Sequence, residues 1–321
     1  MKKTNVYFAA CHKDGGIYHY RTDEKGAMEF VEKIPVDRPM YLAIADGRMY
    51  VIIRDAGDGK SGMFSYAIGE DGRLSDPTAI ESTRGIVACH LWIDGDDAYA
   101  VNYLSGNVIK MPDTLSVHEG KGPHPTRQEA PHTHYVCTTP DGKYVLNTDL
   151  GLDTIFVCDR NLNPVSEAKV PAGSGCRHLI FSEDGTKLYC VNELSNTVSV
   201  FRYSDGTLVY LNSYEAIPAY FADRSTSAAI RISGDYLYTS NRTHDSISCF
   251  RCVGETLELM SITPCGGKSP RDFDLLGNLL FCTNEADDSV TIFRVSGSEL
   301  TRLETRLTMP NPLCVVFGAT V

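Results

Sequence analysis

Three arginines (Arg177, Arg242 and Arg271), two carboxylates (Glu193 and Asp149) and one histidine (His134) fall at matching points of a repeating pattern in this 321-residue chain. Guanidinium forks bind carboxylate or phosphate through paired hydrogen bonds. A carboxylate or imidazole beside them can take up and return a proton. Three such forks in a chain of formal net charge −11 point to a small anionic ligand. The residues are brought into register by a polar pair that closes a short apolar strand. The pairs are Ile53-Arg54, Asn102-Tyr103, Thr148-Asp149, Asn192-Glu193, Asn241-Arg242 and Asn284-Glu285, and successive pairs stand 43 to 49 residues apart. A strand-bearing repeat of roughly 40–50 residues is the signature of a β-propeller.

The clearest repeat runs from Arg177 through Asp184-Gly185 and Lys187 to Asn192-Glu193, then from Thr197 to Phe201. It reads as strand, tight Asp-Gly turn, strand, polar connection and strand, with an outer strand near Leu208 to Tyr214. Leu313 to Phe317 looks like a first strand without a partner after it, and Val6 to Tyr20 like later strands without a first. Together they make one composite blade. The expected fold is therefore all-β, a seven-bladed propeller in a single domain, 1–321, closed by the joined termini. Setting Ile17–Tyr20 against Val198–Phe201 places His12 opposite Glu193. The second members then form a ring of His12, Arg54, Tyr103, Asp149, Glu193, Arg242 and Glu285. In an antiparallel hairpin the start of the first strand lies beside the end of the second. A second ring is thus expected from Met40, Cys89, His134, Arg177, Ala228, Arg271 and Leu313, with His90 and His178 one residue on. Both rings should crowd one mouth of the central channel, where a closed β architecture offers its cavity.

The asparagines of the first-member positions are expected to brace the following turn through side-chain-to-backbone bonds. The second members vary in type from blade to blade while staying polar, as a ligand-facing ring would. No metal or cofactor is expected. His132 and His134 share a strand face without an evident third ligand, and Cys249 and Cys252, three apart on a strand, face opposite sides. Composition adds exclusions. There is no lysine or arginine run, which argues against nucleic-acid or anionic-membrane partners. Eleven cysteines, an odd number in a long chain, read as reduced thiols and favour the cytoplasm. Lys2-Lys3 precedes too short an apolar stretch for a signal peptide, so Asn5 to Ala10 reads as the first strand.

At these residues the chain resembles the seven-bladed propeller lactonase family, which includes bacterial 6-phosphogluconolactonases and carboxymuconate lactonizing enzymes. The resemblance is carried by Cys89-His90 through Asn107, Pro131 to His134 through Lys143, and Asp149 to Gly151. It continues in Cys176-Arg177-His178 through Leu194, Ser227 through Arg242, and Pro270-Arg271; the family's Gly-Pro-Arg-His reads Gly175-Cys-Arg-His178 here. It implies a catalytic set of His134, Arg177, Glu193 and Arg242, and the two rings of the repeat add Arg271, Asp149, His90, His178, Arg54, Tyr103 and His12 as substrate-binding candidates. The first functional expectation is hydrolysis of a sugar lactone, 6-phosphogluconolactone before others, without a metal. A cycloisomerase acting on a muconate-type acid and a non-catalytic ligand-binding propeller are the alternatives. The single tryptophan, Trp92, and the lack of repeated Trp-Asp pairs weigh against an interaction propeller.

Overall fold

Each repeat folds as an antiparallel sheet because it supplies apolar runs of five to eight residues separated by turns that tolerate positive φ. In blade 4 the strands are Cys176–Phe181, Lys187–Asn192, Thr197–Ser204 and Thr207–Glu215, ordered from the axis outward. Its first turn holds Gly185 at φ 68°, while the Asp184 carboxylate accepts hydrogen bonds from the Ser182 hydroxyl and the Thr186 amide. The structure, a computed structural model, describes residues 2–321. Six further sheets repeat this plan, one of them extended by the short strand Glu81–Ser82. The seventh blade closes the ring as expected, with Pro312–Thr320 paired to Thr4–Ala10, then Gly16–Thr22 and Met28–Ile34.

The inner strands are buried on both faces, since each sheet lies between two others. Their apolar side chains gather into seven clusters, one at each junction of neighbouring blades. Blades 3 and 4, for example, share Leu146, Ile155, Leu179, Leu188 and Phe201. Tyrosines tie the junctions further out: the Tyr99 hydroxyl donates to the Arg160 carbonyl at 2.8 Å and that of Tyr238 to the Gly297 carbonyl at 2.7 Å.

One irregularity recurs in all seven blades. The inner strand carries one extra residue against its neighbour just where it leaves the channel mouth. The bulged positions are Leu313, Met40, Cys89, His134, Arg177, Ala228 and Arg271. A bulge releases a residue from ladder pairing and re-aims its side chain. This is how the second expected ring reaches the axis.

Three of the four asparagines brace the hairpins chiefly through hydroxyls of the next strand rather than through backbone, while Asn102 Nδ2 donates to the Thr83 carbonyl and to Asn107 Oδ1. Asn192 Nδ2 donates to Thr197 Oγ1 at 2.9 Å and Ser199 Oγ at 2.8 Å. Asn241 does the same with Ser246 and Ser248, and Asn284 with Ser289 and Thr291. These partners stand five and seven residues on. All three asparagines are fully buried. Asn241→Ala should strand buried hydroxyls and cost about 2–4 kcal/mol, read as a lowered urea midpoint with unchanged m-value.

Candidate active site

Glu193 is the centre of the channel mouth. It follows the second strand of blade 4, and its carboxylate is almost fully buried at 3% exposure. Oε2 accepts from Arg177 Nε at 2.9 Å and pairs with Arg242 Nη2 at 2.9 Å. Oε1 accepts from Arg127 Nη2. Burial alone would raise this carboxyl; the guanidiniums, Arg242 foremost, overcome it and hold the group well below the usual carboxylate range. Burial in turn pulls the Arg177 and Arg242 guanidiniums down from their ordinary values.

The mouth opens into a cavity of about 320 Å³ whose wall includes Glu193, His134, Arg242, Arg271, Arg54 and Tyr103. These six expected residues are thus brought together. His134 enters through the blade 3 bulge. Burial, helped by Arg177, pushes its imidazole well below the ordinary histidine value, so it is neutral near pH 7. Its Nδ1 is buried with no hydrogen-bond partner among the described residues. Tyr103 stacks on His132 at 4.4 Å and meets the edge of His134 at 5.7 Å. Across the cavity Arg271 faces Glu285 at 3.5 Å. Arg127 and Asn311 also stand on the wall, and the rest of it is uncharged: Leu313, Cys11, Met40 and Cys89, with Val87 and Leu104 beside them.

Arg177 lies beneath this wall instead of on it, at 2% exposure. Its Nη1 donates to the Ala228 carbonyl at 2.7 Å and to His178 Nε2 at 3.0 Å. It positions Glu193 from below and does not line the cavity. Four other expectations need correction. His90 and His178 sit deeper in the channel, packed at a tilt against Tyr41 and Tyr135 at centroid distances of 4.0 to 5.0 Å. His90 borders the cavity at the opposite mouth, together with Arg231. Neither histidine lines the Glu193 cavity, because the residue after each bulge turns inward to the channel.

Asp149 and His12 miss the ring by one residue each. Asp149 pairs with Thr154 as Asn192 pairs with Thr197, so it occupies the bracing position, not that of Glu193. Fully buried, its Oδ1 accepts the His132 amide at 2.7 Å and its Oδ2 bonds His118 Nδ1 at 2.7 Å. Leu150 fills the position equivalent to Glu193 and is buried. In the composite blade Ala10 pairs with Gly16, a turn one residue longer, which puts Cys11 in the ring and leaves His12 outside, near Asp14 at 3.8 Å. Counting back five residues from Thr154 reveals the first slip; no sequence signal reveals the second.

Arg127 lies outside the repeat, in the connection 118–132 between blades 2 and 3, so blade spacing does not point to it. That connection lies over Leu150 and supplies a guanidinium where blade 3 itself offers none. Gln128, fully buried, anchors it: Oε1 accepts the His124 amide at 3.0 Å and Nε2 donates to the Leu150 carbonyl at 2.8 Å. The unusual length of this connection was the available signal.

The channel mouth of this seven-bladed propeller thus gathers four guanidiniums, two glutamates and a histidine around one cavity on the axis. The sequence profile of the family described as "Lactonase, 7-bladed beta-propeller" matches residues 5–317, and the chain belongs to that family. Uncharacterized proteins of Staphylococcus aureus (strain USA300) and Staphylococcus epidermidis (strain RP62A) are each 33% identical to it. The first match covers 85% of this chain and 86% of the relative, the second 81% and 82%. Among solved structures, a candidate 6-phosphogluconolactonase from Bacteroides fragilis superposes with a TM-score of 0.90 at 28% identity, covering 99% of this chain and 98% of its own. The Pseudomonas aeruginosa periplasmic gluconolactonase also gives 0.90, at 25% identity and 99% of both chains.

The buried histidines make stability pH-dependent. His90, His134 and His178 all have imidazoles pushed below their ordinary value, primarily by burial. The unfolded chain therefore binds protons near pH 6.5 that the folded one refuses, and stability, full above pH 6.5, falls as pH drops below it. Each histidine contributes up to about 1.4 kcal/mol per pH unit. Denaturation at pH 7.5 and 5.5 should show this loss, and His178→Phe should reduce its slope.

Proposed function

We propose that the protein hydrolyses a sugar lactone, with 6-phosphogluconolactone as substrate and 6-phosphogluconate as product. The observation that carries this reading is the Glu193 carboxylate clamped by three guanidiniums next to the neutral His134. Membership of the lactonase propeller family supports it. The carboxylate has most of its lone pairs engaged and a depressed pKa, so it serves as the fixed anion that orients Arg127 and Arg242. His134 takes the proton of a water as the oxygen adds to the ring carbonyl. The negative charge that develops on the carbonyl oxygen meets Arg242 and Arg127, already in place before the reaction. Collapse of the tetrahedral intermediate breaks the bond to the ring oxygen, which takes the proton back from His134. The new carboxylic acid then ionises. A reducing cytoplasm is the location we favour, supported by eleven unpaired cysteines.

Acid release from a panel of phosphorylated and unphosphorylated sugar lactones tests the reading. Turnover is expected on a sugar lactone; isomerisation of a muconate without acid release would replace it. Glu193→Gln should lower kcat/KM by about 100-fold or more, since the guanidiniums lose their common anchor. Full retention of turnover in this variant sinks the assignment.

Because His134 is held below the ordinary histidine value, kcat/KM should stay level from pH 8 to about 6.5. A decline centred above pH 6.5 would remove His134 as the base.

A further inference from the structure

Blade 3 departs from its neighbours at one buried residue. The last residue of the second strand to pair with the third is Asn102, Asn192, Asn241 or Asn284 in blades 2, 4, 5 and 6, but Asp149 in blade 3. An asparagine side chain carries donors and an acceptor, whereas a carboxylate only accepts. Both Asp149 oxygens meet donors from the connection 118–132, one from each of its ends. His118 Nδ1, on the first residue, donates to Oδ2 at 2.7 Å, and the amide of His132, the last, donates to Oδ1 at 2.7 Å. Asp149 is fully buried and the His118 ring nearly so, which keeps water from competing for these bonds.

Between those ends the connection lies directly on the backbone of blade 3. The Leu150 amide donates to the His132 carbonyl at 2.9 Å. A Cβ on Gly151 would stand 2.0 Å from the Ala130 carbonyl oxygen, and one on Gly122 would stand 2.7 Å from that of Gly151. No side chain fits between the two segments. Arg127 rides on this connection, and its hydrogen bonds among the described residues go to Glu193 and, at 3.4 Å, to the Tyr103 hydroxyl. Its side chain is 35% exposed. A long, partly solvated side chain keeps one geometry only when the backbone beneath it is fixed.

We propose that Asp149 and His118 are positioning residues for the reaction. Their pairing clasps the two ends of the connection and so sets Arg127 against Glu193 before substrate arrives. Neither residue touches the cavity; both act through Arg127. The clasp accounts for an aspartate where the neighbouring blades carry asparagine. The effect on turnover rests on the lactonase reading above, in which Arg127 meets the charge that develops on the carbonyl oxygen.

Asp149→Asn installs the side chain of the neighbouring blades, able to bond Thr154 as Asn192 bonds Thr197, and replaces one acceptor of the clasp with a donor. On a sugar lactone, kcat/KM should fall about 100-fold in Arg127→Gln and about 30-fold in Asp149→Asn, with the loss in kcat. The double variant should be no worse than Arg127→Gln, since the clasp acts only through that arginine. His118→Phe, which keeps the packing on Phe156, should match Asp149→Asn and carries the same test should that variant not fold. His118→Asn, whose amide nitrogen replaces the ring donor, should restore turnover. Full turnover in Asp149→Asn, losses that multiply in the double variant, or equal activity of the two His118 variants would each overturn the proposal. If the wild type hydrolyses no lactone, the hydrolase reading fails separately, and amide hydrogen exchange decides the clasp. The bonded amides of Gly122, Gln128 and His132 should exchange at least about 10-fold faster in Asp149→Asn and His118→Phe, with the strands of blade 4 unchanged. Wild-type protection of the connection in both variants overturns it.

Discussion

No blade of this protein has a core of its own. Every apolar cluster lies at a junction between two sheets, so each sheet is stable only while both neighbours stand beside it. That condition can be met all round only if the sheets close a ring, and the last place in the ring is filled by strands from both ends of the chain. Closure therefore comes before everything else. It sets the distance of each inner strand from the axis and holds the seven bulges at one end of a shared channel.

The buried charge cluster depends on that rigidity. Taking Glu193 and Arg177 out of water is unfavourable, and removing one partner of such a pair typically costs 3–5 kcal/mol because the other is left uncompensated. The arrangement persists because three guanidiniums approach from different parts of the chain: the inner strand of blade 4, the second strand of blade 5 and the connection between blades 2 and 3. None can relax without moving a blade or the Gln128 anchor. The donors are thus fixed before any ligand arrives, the condition under which they stabilise developing charge most strongly.

Much of this was legible in the sequence because the repeat is a physical ruler. Asp-Gly turns and strand-closing asparagines marked the blades, and the antiparallel hairpin rule carried Glu193, Arg242, His134 and Arg271 to one mouth. The ruler failed where residue type was read in place of spacing. Thr148-Asp149 looked like a polar pair, yet Asp149 braces its hairpin and Leu150 takes the ring position. It failed again at Cys11, where a turn one residue longer shifts the count. Arg127 lay beyond its reach because no repeat contains it. The depth of Arg177, His90 and His178 was also hidden, since strand order gives position around an axis but not height along it.

The bulges have a consequence for how such a site can change over time. A residue that sits outside the ladder can be exchanged without breaking a strand pair, and its neighbours on either side keep their packing. The seven positions are thus released from the ladder, although Arg177 is tied to Glu193 and Met40, Leu313 and Cys89 also pack in the junctions. Here they read leucine, methionine, cysteine, histidine, arginine, alanine and arginine around the ring. A substitution at the bulges that face the cavity, such as His134 or Arg271, changes the chemistry of the mouth while every strand pair of the ring is kept.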